Sequence, residues 1–117
     1  MSWYIAQIIY RVVCGDGIHC PQFDEQQRLI SARGDEEAFE KAQAIGRREA
    51  DSFYNQNKKL VQWQYVAVAS LTRLGDLKDG AELCSRIHEV DDADAYLSFV
   101  ADKSNDIRLR LAETLTN

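Results

Sequence analysis

The sequence predicts an α+β fold in which a four-stranded, mostly antiparallel sheet carries one long helix on a face. Three observations predict it: two alternating apolar segments near the start of the chain, a following segment with apolar residues at helical spacing, and two later β-rich segments separated by a turn. The predicted order is β-β-α-β-β, followed by helical C-terminal segments. A chain of 117 residues is typical of a single domain.

The first two predicted strands form a hairpin. The first covers residues 3–13 and the second covers residues 26–32, with a loop at 14–24 that contains two glycines and the only proline. One alternating set of the first strand is more apolar than the other, so we expect it to face the core. This set consists of Tyr4, Ala6, Ile8, Tyr10 and Val12.

The predicted helix begins at Asp35, which is a candidate N-cap, and has Glu36 and Glu37 in its first turn, where acidic groups interact favourably with the helix dipole. Small and apolar residues then recur at helical spacing as far as Phe53. The pattern predicts that the helix ends near Asn55 and that the following polar residues form an exit loop.

Residues 60–74 form a β-rich run that is partly apolar on both faces, as expected of a central strand. Asp79 and Gly80 indicate a turn, and residues 81–90 alternate like a return strand. We therefore expect residues 1–90 to form a single α+β domain and residues 91–117 to form a helical extension packed on it. The pattern suggests a break at 104–106, and residues 107–117 fit either a strand or a helix, of which the helix is preferred because Asp106 can cap it.

The composition excludes several classes of protein. Apolar residues make up 45% and charged residues 28%, with a net charge of −5, which argues against a nucleic-acid binder. No apolar run approaches the ~20 residues that span a bilayer, so we expect no membrane association and a cytoplasmic location. Three cysteines without repeated spacing do not indicate a disulfide framework.

The densest group of reactive side chains lies in LKDGAELCSRIH, residues 77–88. On a strand, Cys84 and His88 would be roughly 13 Å apart, too far for a catalytic dyad. A turn and a strand account for most of this segment. The alternative is a small-ligand or catalytic pocket, or a partner contact, formed by Glu82, Ser85 and Arg86.

Cys14, His19 and Cys20 provide candidate zinc ligands in the first loop. Zinc sites favour two to four residues between paired cysteines, whereas five separate this pair. A Cys14–Cys20 disulfide is an equal alternative, and a surface loop with unrelated cysteines is the simplest interpretation. We therefore predict no cofactor.

Trp3 and Trp63 lie on alternating strand faces that also carry polar residues. Core packing is the simpler interpretation, because aromatic side chains usually supply buried area. The alternative is that one tryptophan lies on an open sheet face used for binding a partner or a second copy, since aromatics are enriched at interfaces. On this interpretation Trp63 and Tyr65 are candidate partner-binding residues.

The chain resembles the bacterial family of uncharacterised domains numbered 4288 over about residues 3–90. The resemblance rests on the strand with Trp63, Tyr65 and Val68 and on the segment that follows it. The matching positions of that segment are Asp79, Gly80, Glu82, Ser85 and Arg86. The cysteine-containing first loop and the residues after Val90 depart from the family pattern. The resemblance implies a small α+β domain without an assigned activity.

Size, acidity and the lack of a recognisable catalytic motif lead us to expect a non-catalytic protein-interaction module. A homodimer is one form of it, and an immunity-type or regulatory protein with an acidic binding surface is another. The alternative remains a ligand-binding or enzymatic domain with its pocket at Glu82, Ser85 and Arg86.

Overall fold

The computed structural model describes residues 1–116 of the chain. It divides into two compact units, of which the first is Met1–Cys84 and the second begins at Ser85. The first unit contains a sheet and a helix. Its elements are β1 (Ser2–Cys14), β2 (Gln22–Ala32), α1 (Asp35–Arg48), β3 (Asp51–Tyr54) and β4 (Leu60–Arg73).

The sheet has four strands in the order β2-β1-β4-β3, and every neighbouring pair is antiparallel. The predicted α+β fold with a β-β-α-β-β order is therefore confirmed. β1 lies at the centre of the topology because it pairs with both β2 and β4, and the edges of the sheet are β2 and β3.

The predicted core face of β1 is confirmed. Tyr4, Ala6, Ile8 and Tyr10 are all buried, because α1 covers the side of the sheet on which they lie. Small residues of the helix allow it to lie close to the strands. The residues that form the core cluster are Tyr4, Ala6, Ile30, Ala32, Ala38 and Ala42.

Strand β4 does not alternate regularly. Its pairing with β1 shifts between Gln7 and Ile8 and again between Ile9 and Tyr10, as expected where an extra residue bulges out of a strand. As a result Val68 lies opposite the buried Ile8, although simple alternation from Tyr65 would place it on the other face.

Helix α1 is shorter than the sequence pattern predicts. It ends at Arg48 rather than near Asn55, and residues 51–54 form the edge strand β3. The polar segment that follows is a hairpin turn, in which the side-chain oxygen of Asn55 accepts hydrogen bonds from the backbone N–H groups of Asn57 and Lys59. At the start of the helix, Gly34 is the N-cap and Asp35 lies in the first turn.

The second unit contains α2 (Ala93–Thr116), a single uninterrupted helix. The prediction of a break at 104–106 is wrong, whereas the preferred helix for 107–117 is confirmed as far as residue 116; Asn117 lies outside the described residues. Asp92 caps α2, since its carboxylate accepts a 3.1 Å hydrogen bond from the Ala95 N–H. Neither helix within residues 1–116 has the length and apolarity that a membrane span requires.

The predicted strand at residues 81–90 is wrong. This segment has no regular secondary structure and pairs with neither edge of the sheet. Alternation is necessary for a half-buried strand but does not provide a partner strand, and β3 takes the fourth position instead.

Candidate functional site

The first unit has two different sheet faces. Even-numbered residues of β1 lie beneath α1, and odd-numbered residues lie on the opposite side. We call the second side the open face and define its apolar part by Trp3, Ile5, Ile9, Phe23 and Leu29.

The open face exposes large apolar side chains. Trp3 is 43% exposed, Phe23 is 53% exposed and Leu29 is 54% exposed. Polar groups lie between and beside them: the Arg11 guanidinium lies over the Phe23 ring at 5.7 Å from its centroid, and Gln7 donates to the Glu25 carboxylate at 3.4 Å. An apolar surface crossed by polar groups of this kind is typical of protein interfaces.

On the helix side, a tyrosine pair lies where α1 ends. The rings of Tyr10 and Tyr65 meet edge to face at a centroid distance of 6.3 Å, and the Arg47 guanidinium lies 5.5 Å from the Tyr65 centroid. The Tyr10 hydroxyl donates to the Gly46 carbonyl at 2.7 Å. Burial raises the pKa of Tyr10, and the positive charge of Arg28 partly offsets this increase.

Three side chains of β2 form a hydrogen-bonded row on the helix side. Gln26 donates to the Asp24 carboxylate at 2.7 Å, and its own side-chain oxygen accepts from Arg28 at 2.7 and 3.1 Å. We call Asp24, Gln26 and Arg28 the polar row. Asp24 and Arg28 are roughly 13 Å apart along the strand, so Gln26 connects two charges that cannot meet. Neither charge has an ion-pair partner among the described residues.

Trp63 connects β4 to this row. Its indole N–H donates to the Asp24 carboxylate at 3.1 Å, and its ring stacks on Phe53 at 6.0 Å. The exposed part of Trp63 borders a wide depression of ≈ 400 Å³ that is also lined by Ala50, Asp51, Ser52, Gln62 and Gln64. The two predicted partner-binding aromatics therefore share the helix side of the sheet: Tyr65 contacts Tyr10 and Arg47, and Trp63 lies next to the depression.

In the first loop, the ring of His19 forms hydrogen bonds with backbone groups. Nε2 of His19 accepts the Cys14 N–H at 3.0 Å, and Nδ1 lies 2.8 Å from the Cys20 carbonyl, to which it donates in this tautomer. The three cysteines of the sequence are present as free thiols. No group of three or more potential ligands is arranged to hold a metal ion within residues 1–116.

The proposed pocket residues lie outside regular secondary structure. Glu82, Ser85 and Arg86 are all exposed, and the unit boundary falls between Cys84 and Ser85. Neither the depression beside Trp63 nor the one of ≈ 500 Å³ beside Trp3 and Arg73 includes any of them. In the second unit, the His88 ring lies 6.1 Å from the Tyr96 ring.

The polar row is the feature that sequence reasoning missed. Residues 22–24 follow the only proline and fall within the loop predicted at 14–24, whereas β2 begins at Gln22. The alternation of Asp24, Gln26 and Arg28 continues into Ile30, which belongs to the buried core. This continuity is the sequence signal that could have extended the strand.

Comparison with known proteins identifies the family of the chain. The model of the family described as "Domain of unknown function (DUF4288)" matches residues 3–85, which is more than half of the chain and includes β1, β2, α1, β3 and β4. No curated protein and no solved structure matches. The chain therefore belongs to the DUF4288 family.

Proposed function

We propose that this protein is a non-catalytic protein-interaction module and that it binds its partner through the open face. The observation that carries the proposal is the exposure of Trp3, Phe23 and Leu29 on one side of a sheet whose other side holds the core. Large apolar side chains grouped in this way commonly mark an interaction surface.

The chemistry of the face indicates what the partner presents. Its apolar side chains favour an apolar surface on the partner, and Arg11 and Glu25, which lie beside and between them, favour polar groups within and around that surface. Charges at an interface contribute mainly to specificity and to the rate of association. The immunity-type version, in which general acidity attracts a basic partner, relies instead on the net charge of −5.

Capture from lysate of the native host with matched variants tests the proposal. Trp3→Glu places a charge on the open face, whereas Ile18→Glu makes the same type of change in the first loop, where the side chain is 86% exposed. We expect Trp3→Glu to lose a stoichiometric protein partner that both the wild type and Ile18→Glu retain.

Two results would overturn the proposal. One is capture of no protein by the wild type, and the other is retention of the partner by Trp3→Glu in a folded sample. Replacing surface acids outside the open face with basic residues tests the immunity-type version. Only that version predicts that the partner is lost when the net charge changes.

A further inference from the structure

Strand β2 has an unpaired edge. In an antiparallel sheet, the N–H and C=O groups of alternate residues point to opposite neighbours. The Trp3 carbonyl accepts from the Leu74 N–H at 2.8 Å, and the Gly15 N–H donates to the Leu60 carbonyl at 2.7 Å, so odd-numbered residues of β1 bond toward β4. Even-numbered residues of β1 therefore bond to β2.

It follows that the even-numbered residues of β2 bond inward and its odd-numbered residues point outward. Cα partners on the two strands have equal parity, for example Ala6 with Arg28 and Ile5 with Leu29. The outward backbone groups belong to Phe23, Glu25, Gln27, Leu29 and Ser31. The structure supports this direction independently, because Lys41 reaches the Ser31 carbonyl from α1 and donates to it at 2.9 Å.

An exposed edge of this length can bind another strand. We propose that β2 pairs antiparallel with β2 of a second copy, with Gln26 opposite Gln26 of that copy. Two four-stranded sheets then join into one sheet of eight strands about a two-fold axis. The strand order that leaves β2 at an edge provides the place for the second copy.

The side chains of β2 are self-complementary in this register. On the helix side, Asp24 lies opposite Arg28 of the second copy, and the two-fold axis repeats the pair. Neither of these charges has an ion-pair partner within its own chain among the described residues. In a directly opposed pair without backbone hydrogen bonds the Cα atoms are about 4.5 Å apart, which brings opposite charges within reach of each other.

The open-face side fits equally well. Phe23 lies opposite Leu29 of the second copy, so two half-exposed apolar side chains meet, and Glu25 lies opposite Gln27, so no like charges face each other. A register centred on Glu25 would instead oppose two carboxylates. The segment FDEQQRL, residues 23–29, is thus complementary to the same segment of a second copy in antiparallel orientation.

The structure also explains where the paired segment ends. Beyond Leu29 the next outward residue is Ser31, which would lie opposite Pro21 of the second copy. Pro21 has no N–H to donate, and the Ser31 carbonyl already accepts from Lys41. The missing donor and the occupied acceptor therefore coincide, so the hydrogen bond from residue 21 to the Ser31 carbonyl is not formed and we expect the pairing to end there.

Helix α1 leaves the residues of the polar row only partly buried. The helix begins over Ile30 and Ala32 and ends near Tyr65 of β4, where a Cβ added to Gly46 would meet the Tyr65 ring. It thus crosses the sheet away from the polar row. The proposal goes beyond the open-face function, since it uses the edge of the sheet and can fail while binding to the face remains.

Sedimentation equilibrium of the full chain over a range of concentrations tests the pairing. We expect the wild type to approach twice 13.3 kDa with increasing concentration. Gln27→Pro removes an outward N–H without disturbing the bonds to β1, so its mass should fall to that of one chain. Ser52→Pro is the control: Ser52 lies on the other edge strand, between residues that bond to β4. Its N–H donates to the Asp51 carboxylate at 2.8 Å, a local bond whose loss should leave the β2 edge intact, so this variant should still dimerise.

Charge exchange tests the register. Arg28→Asp opposes two carboxylates in the dimer and should abolish it, whereas the double variant D24R/R28D restores opposite charges and should recover it. In a background with all three cysteines changed to serine, Gln26→Cys should form a cross-link between chains on mild oxidation and Gln27→Cys should not. Circular dichroism establishes that each variant is folded.

A wild type that stays at 13.3 kDa at every concentration would overturn the proposal. A dimer that survives Gln27→Pro would exclude the β2 edge. Failure of D24R/R28D to recover a dimer lost in Arg28→Asp, or cross-linking through residue 27 in place of residue 26, would exclude this register.

Discussion

The hydroxyl of Tyr10 on β1 donates a 2.7 Å hydrogen bond to the backbone carbonyl of Gly46 in the last turn of α1. The bond fixes the end of the helix to the central strand of the sheet. It also satisfies a carbonyl near the C-terminus of α1, where the last four carbonyls of a helix lack partners within it. The relationship depends on Gly46, because only a residue without a side chain fits against the neighbouring Tyr65.

Gly46→Ala should destabilise the protein. A Cβ at this position would lie 2.7 Å from Cδ1 of Tyr65, closer to Cε1 of the same ring, and 3.1 Å from Cγ2 of Ile8. Overpacking of this kind costs about 1–3 kcal/mol, which exceeds the gain of up to ~1 kcal/mol that alanine brings within a helix. Urea unfolding measures the difference. Gly75→Ala, which meets nothing within 4 Å, is the control, and equal stability of the two variants would contradict the close approach.

Tyr10→Phe should lower the free energy of unfolding by about 1 kcal/mol at neutral pH, because it removes one buried hydrogen bond and keeps the ring. The measurement is urea unfolding followed by circular dichroism. Tyr54→Phe provides the comparison, since Tyr54 is 72% exposed on the edge strand β3. A loss in Tyr54→Phe as large as that in Tyr10→Phe would show that the bond to Gly46 is unimportant.

Tyr10 should also contribute to alkaline unfolding. Its pKa in the folded state is raised above 10.0, mainly by burial, so the folded protein holds the neutral form. Below pH 10 both states keep the proton and the contribution to stability is complete; as the pH increases from there through the folded-state pKa, the unfolded chain ionises first and stability is lost. We expect stability to decline less steeply above about pH 10 in Tyr10→Phe. An unchanged slope would mean that Tyr10 ionises equally in both states.

His19→Ala should loosen the first loop without unfolding the sheet. The variant removes the acceptor of the Cys14 N–H and the donor to the Cys20 carbonyl. Faster hydrogen exchange at the Cys14 amide, with exchange in β1 before Val13 unchanged, is the expected result. His88→Ala changes the other histidine and should leave the Cys14 amide as it is in the wild type. Protection of that amide in His19→Ala would contradict the assigned hydrogen bond.

The sequence correctly predicted those parts of the fold in which an alternating segment also has a neighbouring strand to pair with. β1 alternates strongly and has partners on both sides, so its core face was correct from Tyr4 to Tyr10. Phe53 was misleading because it continues the helical spacing of α1 and is also suitably placed on a strand to stack on Trp63. Residues 81–90 were misleading for the opposite reason, since their alternation has no strand to pair with.

Candidate surfaces were harder to predict than strands. Trp3 and Trp63 looked equivalent in sequence, and only the register shows that Trp3 lies on the open face and Trp63 on the helix side. The polar row could not be identified from the sequence, because its identification requires that β2 begins at Gln22. The two bulges in the pairing of β1 with β4 reverse the faces of β4 only between them, at Ala67 and Val68, and leave no signal in simple alternation.

Hydroxyl-radical footprinting of the captured complex tests the open-face proposal most directly, because it measures the exposure of individual side chains. Trp3 should be oxidised readily in the free protein and protected in the complex, while Ile18 in the first loop should react equally in both. Equal oxidation of Trp3 with and without the bound partner would contradict the proposal that the open face is the binding surface.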